Sequence, residues 1–198
     1  PFPLHSITLS PRLIIHNHEL HRLVTAPMFH GGLLHIGMNV SSFIGISSRI
    51  ERRVGTVPLC YTILISIITT SLLHTITAYL IYQIFSNPGP LLSHSVRFSG
   101  VIFHLSVLDC SHTTQHTTRS IAGYVIPTRA YPILLLIALQ VVVPGVSFLG
   151  HLSGDVMGGV EVLGGVGWCR PGREWMETGG ERGCGGGWLF PWLNGGFV

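Results

Sequence analysis

The feature that most constrains this chain is a pair of long stretches without a charged residue. No Asp, Glu, Lys or Arg occurs from Val54 to Val96 or from Ala130 to Gly154. Because a helix crosses the hydrocarbon core with about 20 apolar residues, each stretch is long enough for a membrane span. Only 10% of all residues are charged and the mean hydropathy is +0.51, whereas soluble domains carry about 25% charged residues. These values exclude a soluble domain, a disordered chain and a coiled coil, and they predict an all-α polytopic membrane protein.

The ionisable residues exclude other classes of protein. The formal net charge of +3 is spread along the chain, so no nucleic-acid partner is expected. The four cysteines form no C-x-x-C pair, so neither a disulfide framework nor a zinc ribbon is predicted. Three of the twelve histidines, His16, His18 and His21, could bind a metal in a loop. We favour a loop without a metal, and we expect no metal and no organic cofactor.

Apolar segments between polar connections predict five membrane spans. They lie at residues 33–48, 57–84, 98–108, 133–148 and 149–166. Arginines follow the first span and precede the fourth, and this excess of positive charge predicts that both connections face the cytosol. Residues 1–29 are predicted to form an N-terminal segment and a lumenal loop, and residues 30–166 to form the transmembrane domain. Residues 167–198 are rich in glycine and are predicted to be a disordered tail.

The third expected span is too short to cross a bilayer. From Ser99 to Leu108 a helix rises about 15 Å, roughly half of the hydrocarbon thickness. Its N-terminus must therefore lie in a water-filled cavity or be buried in protein. Ser99 would then lie where free backbone N–H groups stabilise an anion. The alternative is that Ser99 is only a helix cap and that the helix begins at His94.

Two polar side chains share one face of the first span. His35 and Asn39 are four residues apart and project in the same direction, and His30 precedes them. Polar side chains in a membrane helix need partners, so these residues form either a polar helix–helix contact or part of a site. Zinc binding is disfavoured because His30 and His35 are five residues apart, whereas a helical pair of ligands is four apart.

A stripe of small residues marks the last span. Gly150, Gly154 and Gly158 recur every four residues, as in closely packed membrane helices. His151 lies beside this stripe near the start of the span. It is either a hydrogen-bonded packing residue or a base.

Together these residues match the parts of a hydrolytic site. A serine at a buried helix N-terminus and a histidine on a tightly packed helix can act as nucleophile and base. His35 and Asn39 supply hydrogen-bond donors for an oxyanion. The polar side chains would line a cavity that holds the water required for hydrolysis.

The chain resembles the rhomboid family of intramembrane serine proteases. The matching motifs occur in family order across roughly residues 13–159, and they are HRLVT at 21–25, HGGLLHIGMN at 30–39, Gly45 with ERRVG at 51–55, FSGVIF at 98–103 and GHLSG at 150–154. Each motif alone is weak, but the series in register is specific. The segments VIPT at 125–128 and SFLGH at 147–151 suggest a eukaryotic, plant-like endomembrane member with six core helices.

The resemblance implies a fold, a function and a set of residue roles. It implies a rhomboid-like bundle with about five of six core helices present, in the ER or Golgi membrane, which cleaves transmembrane segments of other membrane proteins. Ser99 would be the nucleophile and His151 the general base of a Ser–His dyad. The resemblance assigns the oxyanion site and cavity to His35, Asn39, His30 and Gly100, and structural roles to Arg22, Glu51, Gly150, Gly154 and Gly158. Arg22 would lie in the lumenal loop, and Glu51 would cap a cytosolic helix end.

Three features depart from the family pattern. Arg97 stands where the family motif Gly-x-Ser-Gly has its first glycine, and a bulky cation there would either block the cavity or extend to the lumen. Asp155 lies one turn after His151, where it is either a structural oddity or an orienting group like the third member of a triad. Nothing before His16 is long enough to span, so we expect that a first core helix is missing upstream.

Two other functions are compatible with parts of the sequence. A catalytically inactive rhomboid-like protein would bind membrane helices in trafficking or degradation, and Arg97 favours it, although Ser99 and His151 are both present. A transporter or channel fragment would explain broken helices and intramembrane histidines. It would require paired internal repeats, and the sequence shows none.

Overall fold

The computed structural model describes residues 6–96, 98–111, 117–121, 123–143 and 145–165. Within these ranges the chain forms eight helices and one hairpin. In chain order they are α1 (Pro11–Asn17), α2 (Arg22–Thr25), α3 (Leu33–Val54), α4 (Thr56–Phe85), α5 (Gly89–Leu92), α6 (Phe98–Ser111), β1 (Thr118–Ile121), β2 (Tyr124–Pro127), α7 (Tyr131–Val142) and α8 (Phe148–Val162). Short 3₁₀ helices also occur at Ala26–Met28 and Thr128–Ala130. The predicted tail at 167–198 lies outside the described residues.

Helix α4 is the longest and most apolar element. Among the described residues it alone has both the length and the composition needed to cross a membrane, and Phe98–Ser111 and Thr128–Val142 are apolar but shorter. Its many hydroxyl groups bond to carbonyl oxygens one turn back in the same helix, as Ser66 Oγ does to Thr62 at 2.8 Å and Thr75 Oγ1 to Ser71 at 2.9 Å. These internal bonds let a helix rich in Thr and Ser lie in apolar surroundings.

Helix α6 lies at the centre of the fold. Nearly all of its side chains from Val101 to Cys110 are buried, and it packs against α3, α4 and α8. The apolar core comprises Ile46, Ile50, Leu59, Ile67, Val101, Ile102, Leu105 and Leu108. The start of α6 is half-buried, since Phe98 and Ser99 are partly exposed and Gly100 is buried.

The glycine stripe of α8 faces α6 at very short range. A Cβ atom added to Gly154 would overlap the carbonyl oxygen of Gly100, and one added to Gly158 would lie 2.8 Å from the carbonyl oxygen of His104. A Cβ added to Gly100 would lie 3.1 Å from the carbonyl oxygen of Gly150. The two helices therefore touch through their backbones, as small residues permit.

Several predicted boundaries were wrong. The first span does not end at residue 48 but runs to Val54, because the arginines continue the helix and the break comes at Gly55, where φ is +88°. Residues 1–29 are not simply loop, since they contain α1 and α2, and α1 has a proline in its first turn and ends at a left-handed His18. Proline at that position is preorganised for a helix start.

The described residues are mostly helical, in agreement with the predicted all-α class, but one short hairpin was not predicted. The connection at 109–129 contains a two-stranded antiparallel hairpin in which Thr118 pairs with Pro127 and Ile121 with Tyr124. Gly123, with φ of +85°, provides the tight turn. The sequence analysis missed this hairpin because its strands have four residues each.

Candidate active site

Ser99 and His151 each lie in the first turn of a helix. α6 begins at Phe98, so Ser99 lies at a helix N-terminus as predicted, but it is half-buried rather than buried, and the alternative start at His94 is wrong. α8 begins at Phe148, where the Ser147 hydroxyl accepts a hydrogen bond from the Gly150 N–H at 3.2 Å. That cap fixes where α8 starts and hence where His151 lies.

The two side chains are joined by a hydrogen bond. Ser99 Oγ lies 3.0 Å from His151 Nε2, within the distance that proton transfer between nucleophile and base requires. His151 is only 4% exposed, and its ring stacks on Phe103 with centroids 4.5 Å apart and planes inclined by 23°. Phe103 follows Ser99 by one helical turn, so α6 supplies both the bonding partner and the packing surface of the imidazole.

The pair opens into a cavity of about 760 Å³. Its lining includes the predicted residues His35, Asn39 and Gly100 together with Ser99 and His151, and apolar side chains of Leu139, Val143 and Val146. The cavity thus combines a few polar groups with apolar walls, as ligand sites usually do. An apolar peptide segment with one reactive carbonyl suits such a lining.

Asn39 presents an unused donor in this cavity. The side chain is 6% exposed, and its Nδ2 atom has no hydrogen-bond partner among the described residues. A buried donor without a partner carries a free-energy cost. An oxyanion formed beside Ser99 would supply the missing acceptor, which fits the role that the resemblance implies for Asn39.

His30 lies behind the cavity wall. Its ring contacts those of His35 and Phe98, with centroids 5.5 and 5.9 Å away. Burial first, and then the nearby His35, hold the pKa of His30 below its ordinary value, so the neutral ring is favoured. His30 thus supports His35 and the start of α6, and it does not line the cavity.

The N-terminal segment forms part of the cavity rim. The backbones of Leu9 and Ser95 exchange two hydrogen bonds, at 2.9 and 3.1 Å. Arg22 holds this segment in place, because its Nη1 donates to the Thr8 carbonyl at 2.8 Å and its Nη2 pairs with Glu19 at 2.6 Å. Arg22 is 4% exposed, so it acts as an internal brace.

Glu51 joins the ends of two helices. Its carboxylate accepts a hydrogen bond from Thr56 Oγ1 at 2.7 Å, and its carbonyl accepts one from the Gly55 N–H at 2.7 Å. It therefore ties the end of α3 to the start of α4.

Asp155 is not part of the hydrogen-bonded site. Neither carboxylate oxygen of Asp155 has a hydrogen-bond partner in the described part of the chain, so no bond to His151 supports a triad. Arg97 lies outside the described residues. No group of three or more potential metal ligands, and hence no cluster of His16, His18 and His21, occurs among the residues that the structure describes.

Two polar clusters were missed in the sequence. Asp109, at the end of α6, is paired with Arg49 at 2.8 Å, Arg53 at 3.2 Å and Arg119 at 2.8 Å. His104 and Glu161 form a second contact between α6 and α8. In both clusters an ionisable residue lies within an apolar segment, and such a residue needs a partner. This feature of the sequence could have indicated both clusters.

Comparisons with known proteins identify the family of the chain. A family model described as the rhomboid domain matches residues 17–165. The chain is 32% identical over 177 residues to rhomboid-like protein 15 of Arabidopsis thaliana, covering 88% of this chain and 44% of that protein. It is 30% identical over 156 residues to human rhomboid-related protein 4, covering 79% and 49%. It is also 30% identical over 148 residues to rhomboid-type serine protease 2 of Yarrowia lipolytica, covering 75% and 48%.

The chain belongs to the rhomboid family, as its motifs predicted. It spans about half the length of the curated relatives that it matches. No solved structure matches it.

Proposed function

We propose that this protein is an intramembrane serine endopeptidase with Ser99 as nucleophile and His151 as general base. The observation that carries the proposal is the 3.0 Å hydrogen bond between Ser99 Oγ and His151 Nε2 beside a cavity. A relative named rhomboid-type serine protease supports the reaction class.

The residues account for each proton in the reaction. His151 takes the hydroxyl proton as Ser99 Oγ attacks a peptide carbonyl, and the resulting oxyanion accepts hydrogen bonds from Asn39 Nδ2, His35 and the Ser99 backbone N–H. His151 then gives that proton to the departing amine, leaving an acyl-enzyme. A water molecule, deprotonated by His151, hydrolyses the ester and restores Ser99.

The proposed setting is a multi-pass bundle in an endomembrane. The 14 residues of α6 rise about 21 Å, less than the hydrocarbon thickness of about 30 Å, so a water-accessible cavity must meet Ser99 below one membrane surface. The arginines near Asp109 would face the cytosol. Ser99 would then cleave substrate helices near their lumenal ends. Helices with weak, Gly-like or Pro-like residues would be preferred because they unwind most easily.

The direct test is cleavage of a transmembrane substrate in proteoliposomes. We expect Ser99→Ala and His151→Ala each to abolish cleavage, while Ser111→Ala leaves it unchanged. Ser111 is the matched control because it lies on the same helix and bonds only to its own helix at the Leu108 carbonyl among the described residues. Cleavage that survives Ser99→Ala would overturn the proposal.

A catalytically inactive member that binds membrane helices is the second candidate, and Arg97, which immediately precedes the FSG motif, favours it. Arg97→Gly separates the two functions. If the wild type is inactive and Arg97→Gly restores Ser99-dependent cleavage, the native protein is the inactive member. If the wild type already cleaves, Arg97 is tolerated.

A further inference from the structure

A second polar pair joins the helices that carry the proposed dyad. His104 Nε2 lies 2.8 Å from Glu161 Oε2, and the two side chains are 0% and 1% exposed. His104 belongs to α6, like Ser99, and Glu161 to α8, like His151. Neither residue lines the cavity, so the proposed chemistry makes no use of them.

The position of this pair sets it apart from an ordinary buried contact. His104 follows Ser99 by about one and a half turns, and Glu161 follows His151 by nearly three. Between the two pairs the helices meet through glycine, with Gly154 against the Gly100 carbonyl and Gly158 against the His104 carbonyl. The α6–α8 contact is therefore a backbone-to-backbone region with a polar pair at each end.

Such a contact leaves the register of the helices partly to the polar pairs, since Phe103 and Val107 also pack against Gly154 and Gly158. Glycine itself offers no side chain that bonds across the contact, so the directional bonds between the two helices come from the polar pairs. Sliding α8 by one residue moves it by about 1.5 Å along its axis, which would lengthen the 3.0 Å hydrogen bond and tilt it out of line, and so weaken it. A buried pair of this kind is poor evidence of net stabilisation, but fixing a register is its best-attested use.

We propose that His104 and Glu161 are positioning residues that hold α8 in register with α6 and so keep His151 within hydrogen-bond distance of Ser99. The effect on catalysis rests on the proposed protease function, but the effect on register does not. Neither residue touches the reacting atoms. Their removal should therefore lower kcat and leave substrate binding, reported by KM, nearly unchanged.

The variants are chosen to separate register from folding. Glu161→Leu leaves His104 without its partner and risks misfolding, whereas the double variant H104L/E161L replaces the whole pair with apolar side chains, which buried pairs often tolerate. Glu161→Gln keeps an oxygen acceptor and is the conservative rescue. Ser153→Ala is the matched control, because Ser153 is buried on α8 and bonds to the Leu149 carbonyl of its own helix at 2.7 Å.

Two readouts test the proposal in proteoliposomes. We expect H104L/E161L to lower kcat about 100-fold, the loss typical of a misplacement of about 1 Å, while Glu161→Gln and Ser153→Ala stay near wild type. The second readout needs no activity: S99C/H151C is crosslinked with dibromobimane and the yield is measured by mass spectrometry. The yield should fall when H104L/E161L is added.

Each outcome decides one of the two proposals. Wild-type kcat and wild-type crosslinking in H104L/E161L would overturn the positioning role. So would a lowered kcat with unchanged crosslinking and no rescue by Glu161→Gln. If the wild type shows no Ser99-dependent cleavage, the protease function fails, and the crosslinking yield alone then supports or overturns the register role.

Discussion

The two ends of α6 differ in how their polar groups are paired. At its start, Ser99 has a 3.0 Å bond to His151, and the neighbouring Asn39 has a buried donor without a partner in the described residues. At its end, the carboxylate of Asp109 is 1% exposed and pairs with three arginines, each about a quarter to a third exposed. The start of α6 therefore has few polar contacts and borders a cavity, whereas its end has several ion pairs.

This difference indicates that the two ends of α6 have different roles. Donors that are to stabilise a transition state must be free before the reaction begins, and this costs folding free energy. A carboxylate shared by three arginines brings α3, α6 and the hairpin together, which can offset that cost. We therefore expect mutations at the start of α6 to change rate and mutations at its end to change stability.

Among the variants that test this comparison, the largest effect is expected for Asn39→Ala. Removal of one oxyanion donor typically lowers the rate about 10²- to 10³-fold, so cleavage in proteoliposomes should fall by that factor. Because Asn39 Nδ2 has no partner to lose among the described residues, the free energy of unfolding should not fall. Ser41→Ala, an exposed position on the same helix whose hydroxyl bonds to the Met38 carbonyl, is the control. A large loss of stability in Asn39→Ala would contradict this difference in roles between the two ends of α6.

Asp109→Asn should show the opposite pattern. Removing one partner from a buried pair costs about 3–5 kcal/mol, and water around the partly exposed arginines should bring the loss in unfolding free energy to about 2–3 kcal/mol. The cleavage rate per folded molecule should change little. Denaturant unfolding in detergent, with Ser111→Ala as the control at the same helix end, measures the loss. A slower reaction at unchanged stability would refute this assignment.

The smallest effect is expected at Glu19, which braces the cavity rim through Arg22. The hydrogen bond from Arg22 holds the pKa of Glu19 below its ordinary value of 4.5. A carboxylate with a lowered pKa in the folded state stabilises that state above its ordinary pKa, and the stabilisation is lost as pH falls through the lowered value. Wild type should therefore melt slightly above Glu19→Gln at neutral pH and lose that advantage below pH 4.5. An equal difference at both pH values would contradict this role.

The sequence allowed prediction of the site better than of the contacts that support it. Ser99 and His151 are recognisable because each lies in a short motif whose type and order are typical of the family. Asp109 bonds to Arg49, which lies on another helix and 60 positions away in the sequence. His104 contacts Glu161, which is 57 positions away. Such partners depend on helix packing, which no local pattern encodes.

Local structure was predicted best where a long run of mainly apolar residues marks a single helix. The apolar run of α4 was assigned to within one residue of its ends, Thr56 and Phe85. The end of α3 was misplaced because arginine was taken as a stop, although its long apolar stem suits a helix end. The hairpin was missed because the turn at Gly123 carries little signal beside strands of four residues.

The central claim is that Ser99 and His151 act as one catalytic unit, and labelling by a fluorophosphonate tests it most directly. The probe phosphonylates an activated serine, and mass spectrometry identifies the modified residue. We predict labelling at Ser99, its loss in Ser99→Ala and His151→Ala, and no further loss in the double variant, because nucleophile and base are not additive. A folded protein that labels at another serine, or that labels at Ser99 equally well in His151→Ala, would contradict the account.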